Sequence, residues 1–108
     1  MVDDLDWDAT ESITSLALAL NLTLIQARIV AYLMTHSMAT VDDLRPYGAS
    51  VQQSINRART RLSNTDKTIW IETRYGLGYS LSVESRMAIQ ARVGAFMALT
   101  KKPQSLAV

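Results

Sequence analysis

Apolar residues recur at helical spacing along most of this 108-residue chain, and polar residues mark where four helices begin. A Ser, Thr, Asp or Asn side chain followed three residues later by an acid or amide satisfies the free backbone N–H groups at a helix start. That pattern occurs at Asp8, Thr23, Thr40 and Ser50. We therefore predict helices over residues 8–20 and 23–35, a short third helix that Pro46 limits, and a fourth helix after Ser50.

The second and third predicted helices direct apolar side chains toward one core. The residues expected to face it are Ile25, Ile29, Leu33, Val41 and Leu44. Tyr47-Gly48-Ala49 follows the third helix, and Gly is typical of the turn between the two helices of a helix-turn-helix.

The fourth predicted helix separates an apolar stripe from a polar face. Its apolar residues, which lie within about 60° of one another on a helical wheel, are Val51, Ile55, Ala58 and Leu62. The opposite face carries Gln53, Asn56, Arg57 and Thr60, with Ser50 and Arg61 on its flank. Amide, guanidinium and hydroxyl groups suit the reading of base edges and phosphates, although a solvated surface helix has the same composition. A polar turn at 63–66 is predicted to end this helix.

A β-hairpin is predicted after the fourth helix. From Ile69 to Arg74, β-branched residues alternate with Trp, Glu and Arg, which is the period of a strand. Gly76 and Gly78 supply the backbone freedom that a tight turn needs. Tyr79 and Leu81 resume an inward-facing alternation in a second strand.

A last helix is predicted over residues 84–100, with Pro103 just beyond its end and residues 101–108 as a frayed tail. Its large apolar residues fall on one stripe, namely Ile89, Val93, Phe96 and Met97. Small residues form a second surface that permits close helix approach, namely Ala91, Gly94, Ala95 and Ala98.

Composition argues against an enzyme, a cofactor site and a metal site. The chain has no cysteine, His36 is its single histidine, and no Gly-rich phosphate-binding loop is present. No segment is long and apolar enough for a bilayer, and the acidic start is unlike a signal peptide. We therefore expect one cytoplasmic domain over 1–108 that contacts no membrane.

The net charge of +1 hides a strong polarity along the chain. Residues 1–44 carry seven acidic side chains against Arg28 alone, whereas residues 45–74 carry six basic side chains against two acidic ones. Positive charge therefore concentrates on the fourth helix and the hairpin, as expected of a surface that binds nucleic acid.

Residues 22–81 resemble the DNA-binding domain of OmpR/PhoB-type response regulators. Leu22-Thr23 is similar to the family's entry to its first helix, and the run Ile-Asn-Arg-Ala-Arg-Thr-Arg-Leu at 55–62 is similar to its recognition helix. The run at 71–81 is similar to the wing signature Ile-x-Thr-x-x-Gly-x-Gly-Tyr-x-Leu. The resemblance implies a mainly α fold with a small β-hairpin, a winged helix-turn-helix. Its core would span 22–82, with an acidic segment and added helix at 1–21 and an added helix and tail at 83–108.

Three features depart from that family. Residues 1–21 do not have the pattern of the small antiparallel sheet that usually precedes the first helix. The Val-Arg pair of the wing is replaced by Arg74-Tyr75, which moves the cation by one residue to the other side of the ribbon. We also expect no receiver domain in this chain. The resemblance therefore implies the fold and DNA binding, but not control by phosphorylation of a receiver domain.

Double-stranded DNA is therefore the expected partner, bound sequence-specifically by a transcription regulator. The expected contact residues are Ser50, Gln53, Ser54, Asn56, Arg57, Arg59, Thr60, Arg61, Thr73, Arg74 and Tyr75. Arg57 is the leading base-reading candidate, whereas Arg59 and Arg61, at the sides of the helix, are expected to hold phosphates. Ser50 is expected to cap the helix. Binding a phosphate would need the same hydroxyl, so the two roles compete.

A protein–protein adaptor that contacts RNA polymerase or another regulator is the alternative, since one fold serves both purposes. Trp7 is expected either to anchor the N-terminal segment onto the body or to be exposed for a partner. We also weigh a homodimer formed through the added helices against packing of those two helices on each other.

Overall fold

The structure, a computed structural model, describes residues 6–47 and 50–106, with side chains described up to Leu99. Within these ranges the chain is mainly helical and carries a small antiparallel sheet of two strands. The α-helices are α1 (Thr10–Leu20), α2 (Leu24–Thr35), α3 (Val41–Leu44), α4 (Val51–Thr65) and α5 (Val83–Leu106). A 3-10 helix (Arg45–Tyr47) follows α3, and strands β1 (Ile71–Arg74) and β2 (Gly78–Leu81) lie between α4 and α5.

Two of the four predicted capping boxes are confirmed. At α2, Thr23 Oγ1 accepts from the Gln26 backbone N–H at 3.2 Å and Gln26 Oε1 accepts from the Thr23 N–H at 3.0 Å. Thr40 and Asp43 form the same reciprocal pair at α3. Both N-cap threonines have extended backbones with ψ near 165°, which aims the hydroxyl at the first turn.

The boxes predicted at Asp8 and Ser50 are wrong. The α1 helix begins after Ala9, because the Asp8 backbone N–H binds the Asp6 carboxylate at 3.1 Å and residues 7–8 form a turn. Ser50 is the N-cap of α4, but its ψ of 95° departs from that of the two threonine caps and its hydroxyl accepts no capping bond.

One apolar core joins all five helices and both strands. The predicted stripe of α4 is confirmed, since Val51, Ile55, Ala58 and Leu62 are all buried. The predictions for Ile29, Leu33 and Leu44 are confirmed as well, each fully buried.

The inward predictions for Ile25 and Val41 are wrong, since these side chains are 49% and 41% exposed. Each lies in the first turn of its helix, where side chains tilt back toward the helix N-terminus and away from the packed middle.

The two added helices pack on each other, as one of the predicted alternatives requires. On α5, Ile89 and Val93 are fully buried, and Met97 packs partly buried against the same core. Trp7 is buried and anchors the N-terminal segment to the body.

The predicted ends of α4 and α5 are wrong. The α4 helix continues through Ser63 and Asn64 to Thr65, whose hydroxyl lies 3.1 Å from the Arg61 carbonyl and 3.3 Å from the Leu20 carbonyl of α1. The α5 helix continues past Pro103 to Leu106, so the predicted frayed tail is helical for most of its length. Proline removes one helical hydrogen bond and does not oblige a long helix to end.

The hairpin pairs Ile71 with Leu81 and Arg74 with Gly78 in antiparallel register. A further backbone bridge joins β2 to the segment before α3: Tyr79 N–H donates to the Ala39 carbonyl and Ala39 N–H to the Tyr79 carbonyl, each at 2.8 Å. The predicted burial of Tyr79 and Leu81 is confirmed, but the predicted alternation is wrong, since Ser80 between them is buried as well. The hairpin is thus held to the helical body by its second strand.

Two sequence predictions fall on residues outside the described ranges. They are the turn at Gly48 and Ala49 and the acidic start at Asp3 and Asp4. Across 6–47 and 50–106, no single helix has both the length and the apolar character needed to cross a membrane. Helices α1 and α2 pass that test only as a pair, and they are bent by 110°.

Candidate functional site

The outward face of α4 is a continuous polar surface. Its exposed side chains line a shallow depression and are Ser50, Gln52, Gln53, Asn56, Arg57 and Thr60. The Arg57 guanidinium makes no hydrogen bond or ion pair to any residue that the structure describes. A cation without a partner, among amides and hydroxyls on an exposed helix face, is available to an outside ligand.

Arg59 lies on the flank of α4 that faces the hairpin and is tied into it. Its Nε donates to the Ile71 carbonyl at 2.7 Å, and its Nη2 donates to the Thr73 hydroxyl. The guanidinium also lies 5.1 Å from the Trp70 ring centroid and 5.8 Å from that of Tyr79, which adds a cation–π attraction on each side. Arg59 therefore fixes the hairpin against α4.

Arg61 lies on the opposite flank of α4, toward the end of α1. Its Nη1 donates to the Asn21 carbonyl at 3.1 Å. Asn21 is the C-cap of α1 and has a left-handed backbone with φ 57°. A guanidinium at this point satisfies a free carbonyl and complements the negative end of the helix dipole.

The hairpin tip extends from the body beside this face. Tyr75 is 92% exposed and Leu77 is 61% exposed. Arg74 turns back along the ribbon, where its Nε donates to Ser80 Oγ at 3.0 Å and its Nη2 lies 3.8 Å from Glu72. The hairpin tip thus presents an exposed aromatic side chain on a ribbon that the Arg74 guanidinium braces.

Acidic side chains near α3 and β1 are matched by internal partners. Asp42 pairs with Arg45 at 2.9 Å, and Glu72 pairs with Arg74. Hydrogen bonds from the Thr40 backbone and then its side chain hold the pKa of Asp43 below its ordinary value. Asp43 is therefore an anion at neutral pH, in the first turn of α3, where the helix dipole favours it.

The sequence-predicted contact residues divide into three groups in the structure. Gln53, Asn56, Arg57 and Thr60 share the outward face of α4 with Ser50, as predicted. Arg59 and Thr73 meet each other between α4 and the hairpin, and Arg74 and Tyr75 lie near its tip. Ser54 and Arg61 lie on the far flank of α4, away from the hairpin.

Sequence reasoning missed two residues that shape the site. The alternation of the strand gives Trp70 no function, yet its half-exposed ring lies 5.1 Å from the Arg59 guanidinium. Ala39, which bridges to β2, carried no signal, because a backbone bridge depends on the tertiary fold rather than on side-chain pattern.

In the part of the chain that the structure describes, no group of three or more His, Asp or Glu side chains could hold a metal ion. No protein-family model, curated protein or solved structure matches this chain.

Proposed function

We propose that this chain is a winged helix-turn-helix protein that binds double-stranded DNA sequence-specifically. In this proposal α3 and α4 are the paired helices, α4 is the recognition helix and the hairpin is the wing. The order of α2, α3, α4 and hairpin supports it, as does the resemblance of 22–81 to OmpR/PhoB-type domains.

The observation that carries the proposal is the outward face of α4, with Arg57 free at its centre. An α-helix fits the major groove, where Arg bonds guanine and Asn or Gln bonds adenine. Thr60 and Ser50 add hydroxyl groups that suit phosphate oxygens. The face carries no exposed apolar anchor, whereas protein interfaces concentrate such anchors at their centre.

The hairpin fits the role of a wing because of how it is attached. Arg59 ties β1 to α4 and the Ala39 bridge ties β2 to the segment before α3. A tip fixed at a set distance from the recognition helix would contact the DNA backbone or minor groove next to the site read by α4.

The adaptor alternative draws on Tyr75 and Leu77, since exposed aromatic and aliphatic side chains are typical anchors for protein partners. A contact of this kind with RNA polymerase or another regulator is compatible with DNA binding by α4. An adaptor without DNA binding would leave the outward face of α4 without a role.

Gel-shift titration with genomic fragments at a fixed salt concentration tests the proposal. We expect the wild-type chain and Arg28→Ala to retard the same fragments, and Arg57→Ala to lose that preference. Arg28 is the matched control because it is another exposed arginine, placed on α2 beside Trp7 and Tyr32 rather than on α4. Equal behaviour of Arg57→Ala and Arg28→Ala on every fragment would remove the proposed role of α4.

A further inference from the structure

Asn56, on the outward face of α4, has its side-chain amide held by a charged neighbour. Arg59 Nη1 donates to Asn56 Oδ1 at 3.3 Å, across one turn of the helix. Because a guanidinium only donates hydrogen bonds, the amide atom that faces it is the oxygen. The amide nitrogen of Asn56, with its two N–H donors, is then the end directed to an outside partner.

Arg59 can hold this amide because its own position is over-determined. The carbonyl of Ile71 and the hydroxyl of Thr73 accept from two of its nitrogens. The ring centroids of Trp70 and Tyr79 lie 5.1 Å and 5.8 Å from its guanidinium carbon. The third nitrogen, Nη1, is left pointing along α4 toward Asn56. A lysine has one compact ammonium group and cannot bridge the hairpin and Asn56 together.

The residue next to Asn56 has the same hydrogen-bonding character. Arg57 carries five N–H donors and no acceptor, and no described residue occupies them. Two consecutive residues on the outward face thus present donors. In the major groove, guanine offers two acceptors, N7 and O6, whereas adenine offers one acceptor and one donor.

We infer that Arg59 is a positioning residue for base selection. By engaging the amide oxygen of Asn56, it leaves Asn56, like Arg57, with only donors toward the DNA, which favours guanine over adenine at the base that Asn56 faces. An Asn with a free amide would instead form the bidentate pair with adenine N6 and N7. This inference rests on the proposed function, since it specifies which base the same face of α4 reads.

Selection of duplexes from a randomised pool tests the inference, with the wild-type chain, Asn56→Ala, Arg59→Lys and Arg28→Lys in parallel. Asn56→Ala identifies the base pair that Asn56 faces, as the position where selectivity is lost. At that position we expect the wild type to prefer guanine. Arg59→Lys should lower the guanine-to-adenine ratio there about tenfold, since the freed amide can pair with adenine. Arg28→Lys, the same change at an exposed arginine on α2, should leave the ratio unchanged.

Several results would overturn the inference. The inference is wrong if the wild-type chain prefers adenine at the base pair that Asn56 faces. It is also wrong if Asn56→Ala loses selectivity at no base pair. A third outcome is that Arg59→Lys is folded by circular dichroism and binds every sequence more weakly, with an unchanged guanine-to-adenine ratio. That result would show that Arg59 has only a structural role. Failure of the wild type to enrich any sequence would overturn the proposed function itself, which separates the two failures.

Discussion

Three arginines on one helix illustrate how the surroundings of a side chain decide its use. Arg57, Arg59 and Arg61 alternate along α4 with identical chemistry. One guanidinium has no partner among the described residues, the second joins α4 to the hairpin, and the third closes the end of α1. Sequence spacing predicted the outward position of Arg57, because helical periodicity fixes direction. It could not predict the partners of the other two, because those carbonyls come from distant segments.

Replacing Arg61 should affect DNA binding differently from replacing Arg57. Loss of a phosphate contact weakens the binding of all sequences similarly and lowers the slope of the salt dependence by about one, whereas loss of a base contact costs about 1–3 kcal/mol on the preferred sequence. Because the Asn21 carbonyl occupies only Nη1 of Arg61, its other N–H groups can bond a phosphate. We therefore expect Arg61→Ala to follow the first pattern and Arg57→Ala the second, in fluorescence anisotropy titrations over a range of salt concentrations. Identical salt slopes and specificity ratios in the two variants would show that the flank and the face of α4 are equivalent.

At the level of elements, the hairpin depends on two glycines with different constraints. Both have positive φ, 77° at Gly76 and 153° at Gly78. A Cβ at Gly76 would meet no atom within 4 Å, whereas one at Gly78 would overlap the Ala39 carbonyl. The turn signal was therefore readable from sequence, but the closeness of Gly78 to Ala39 was not.

Gly78→Val should destabilise the chain more than Gly76→Val. Backbone strain of about 1–3 kcal/mol is expected in both variants, and only Gly78→Val also disturbs the bridge between β2 and Ala39. Chemical denaturation measures the loss in the free energy of unfolding for each variant. Titration with a DNA fragment that the wild-type chain binds measures the effect on affinity. Equal stability of the two variants would contradict the close packing of β2 on the segment before α3.

The end of α4 is joined to α5 by an ion pair that predicts a pH dependence. Asp66 accepts from Arg92 Nε at 2.9 Å, and this bond, followed by one from the Thr68 backbone, lowers the pKa of Asp66. A carboxyl with a lowered folded pKa stabilises the fold above its unfolded pKa, and this stabilisation is lost as pH falls through the folded value.

Arg92→Ala should therefore reduce the free energy of unfolding at neutral pH, with a deficit that disappears below the folded pKa of Asp66. Denaturation at a series of pH values, with NMR titration of Asp66, measures both effects. Arg45→Ala is the matched control, because its pair with Asp42 is largely exposed and worth about 0–1 kcal/mol. A deficit in Arg92→Ala that persists unchanged in acid would mean that lost packing, not the ion pair, is responsible.

At the scale of the molecule, periodicity predicted the order of helices and hairpin, and it predicted the buried stripe of α4. The packing of α4 against α1, by contrast, depends on contacts such as that of Thr65 with the Leu20 carbonyl. No local sequence pattern encodes such a contact. The outward face of α4 was predictable because exposure follows from helical phase. The orientation of Asn56 was not, since Arg59 must first be fixed by the hairpin.

Association through α5 is the prediction that concerns the whole molecule. Helix α1 packs on α5, and Ile89 and Val93 point inward. This packing leaves Ala91, Ala95 and Ala98 exposed, so a second subunit can still approach that face of α5. A second subunit on this face would let two recognition helices occupy half-sites about 10 bp apart. We expect sedimentation at micromolar concentration to detect a dimer that Ala95→Glu dissociates without unfolding, whereas Val93→Glu unfolds the chain. A monomer that binds DNA without cooperativity would rule the dimer out.

The most direct measurement of DNA binding by α4 is an NMR map of the amide resonances perturbed by a duplex selected from genomic fragments. The proposal predicts that shifts concentrate on the outward face of α4, around Gln53, Asn56 and Arg57, and at the hairpin tip around Tyr75. An unrelated duplex at the same salt should cause smaller shifts at the same residues. Perturbation confined to α1 and α5, or no perturbation by any duplex, would contradict DNA recognition by α4.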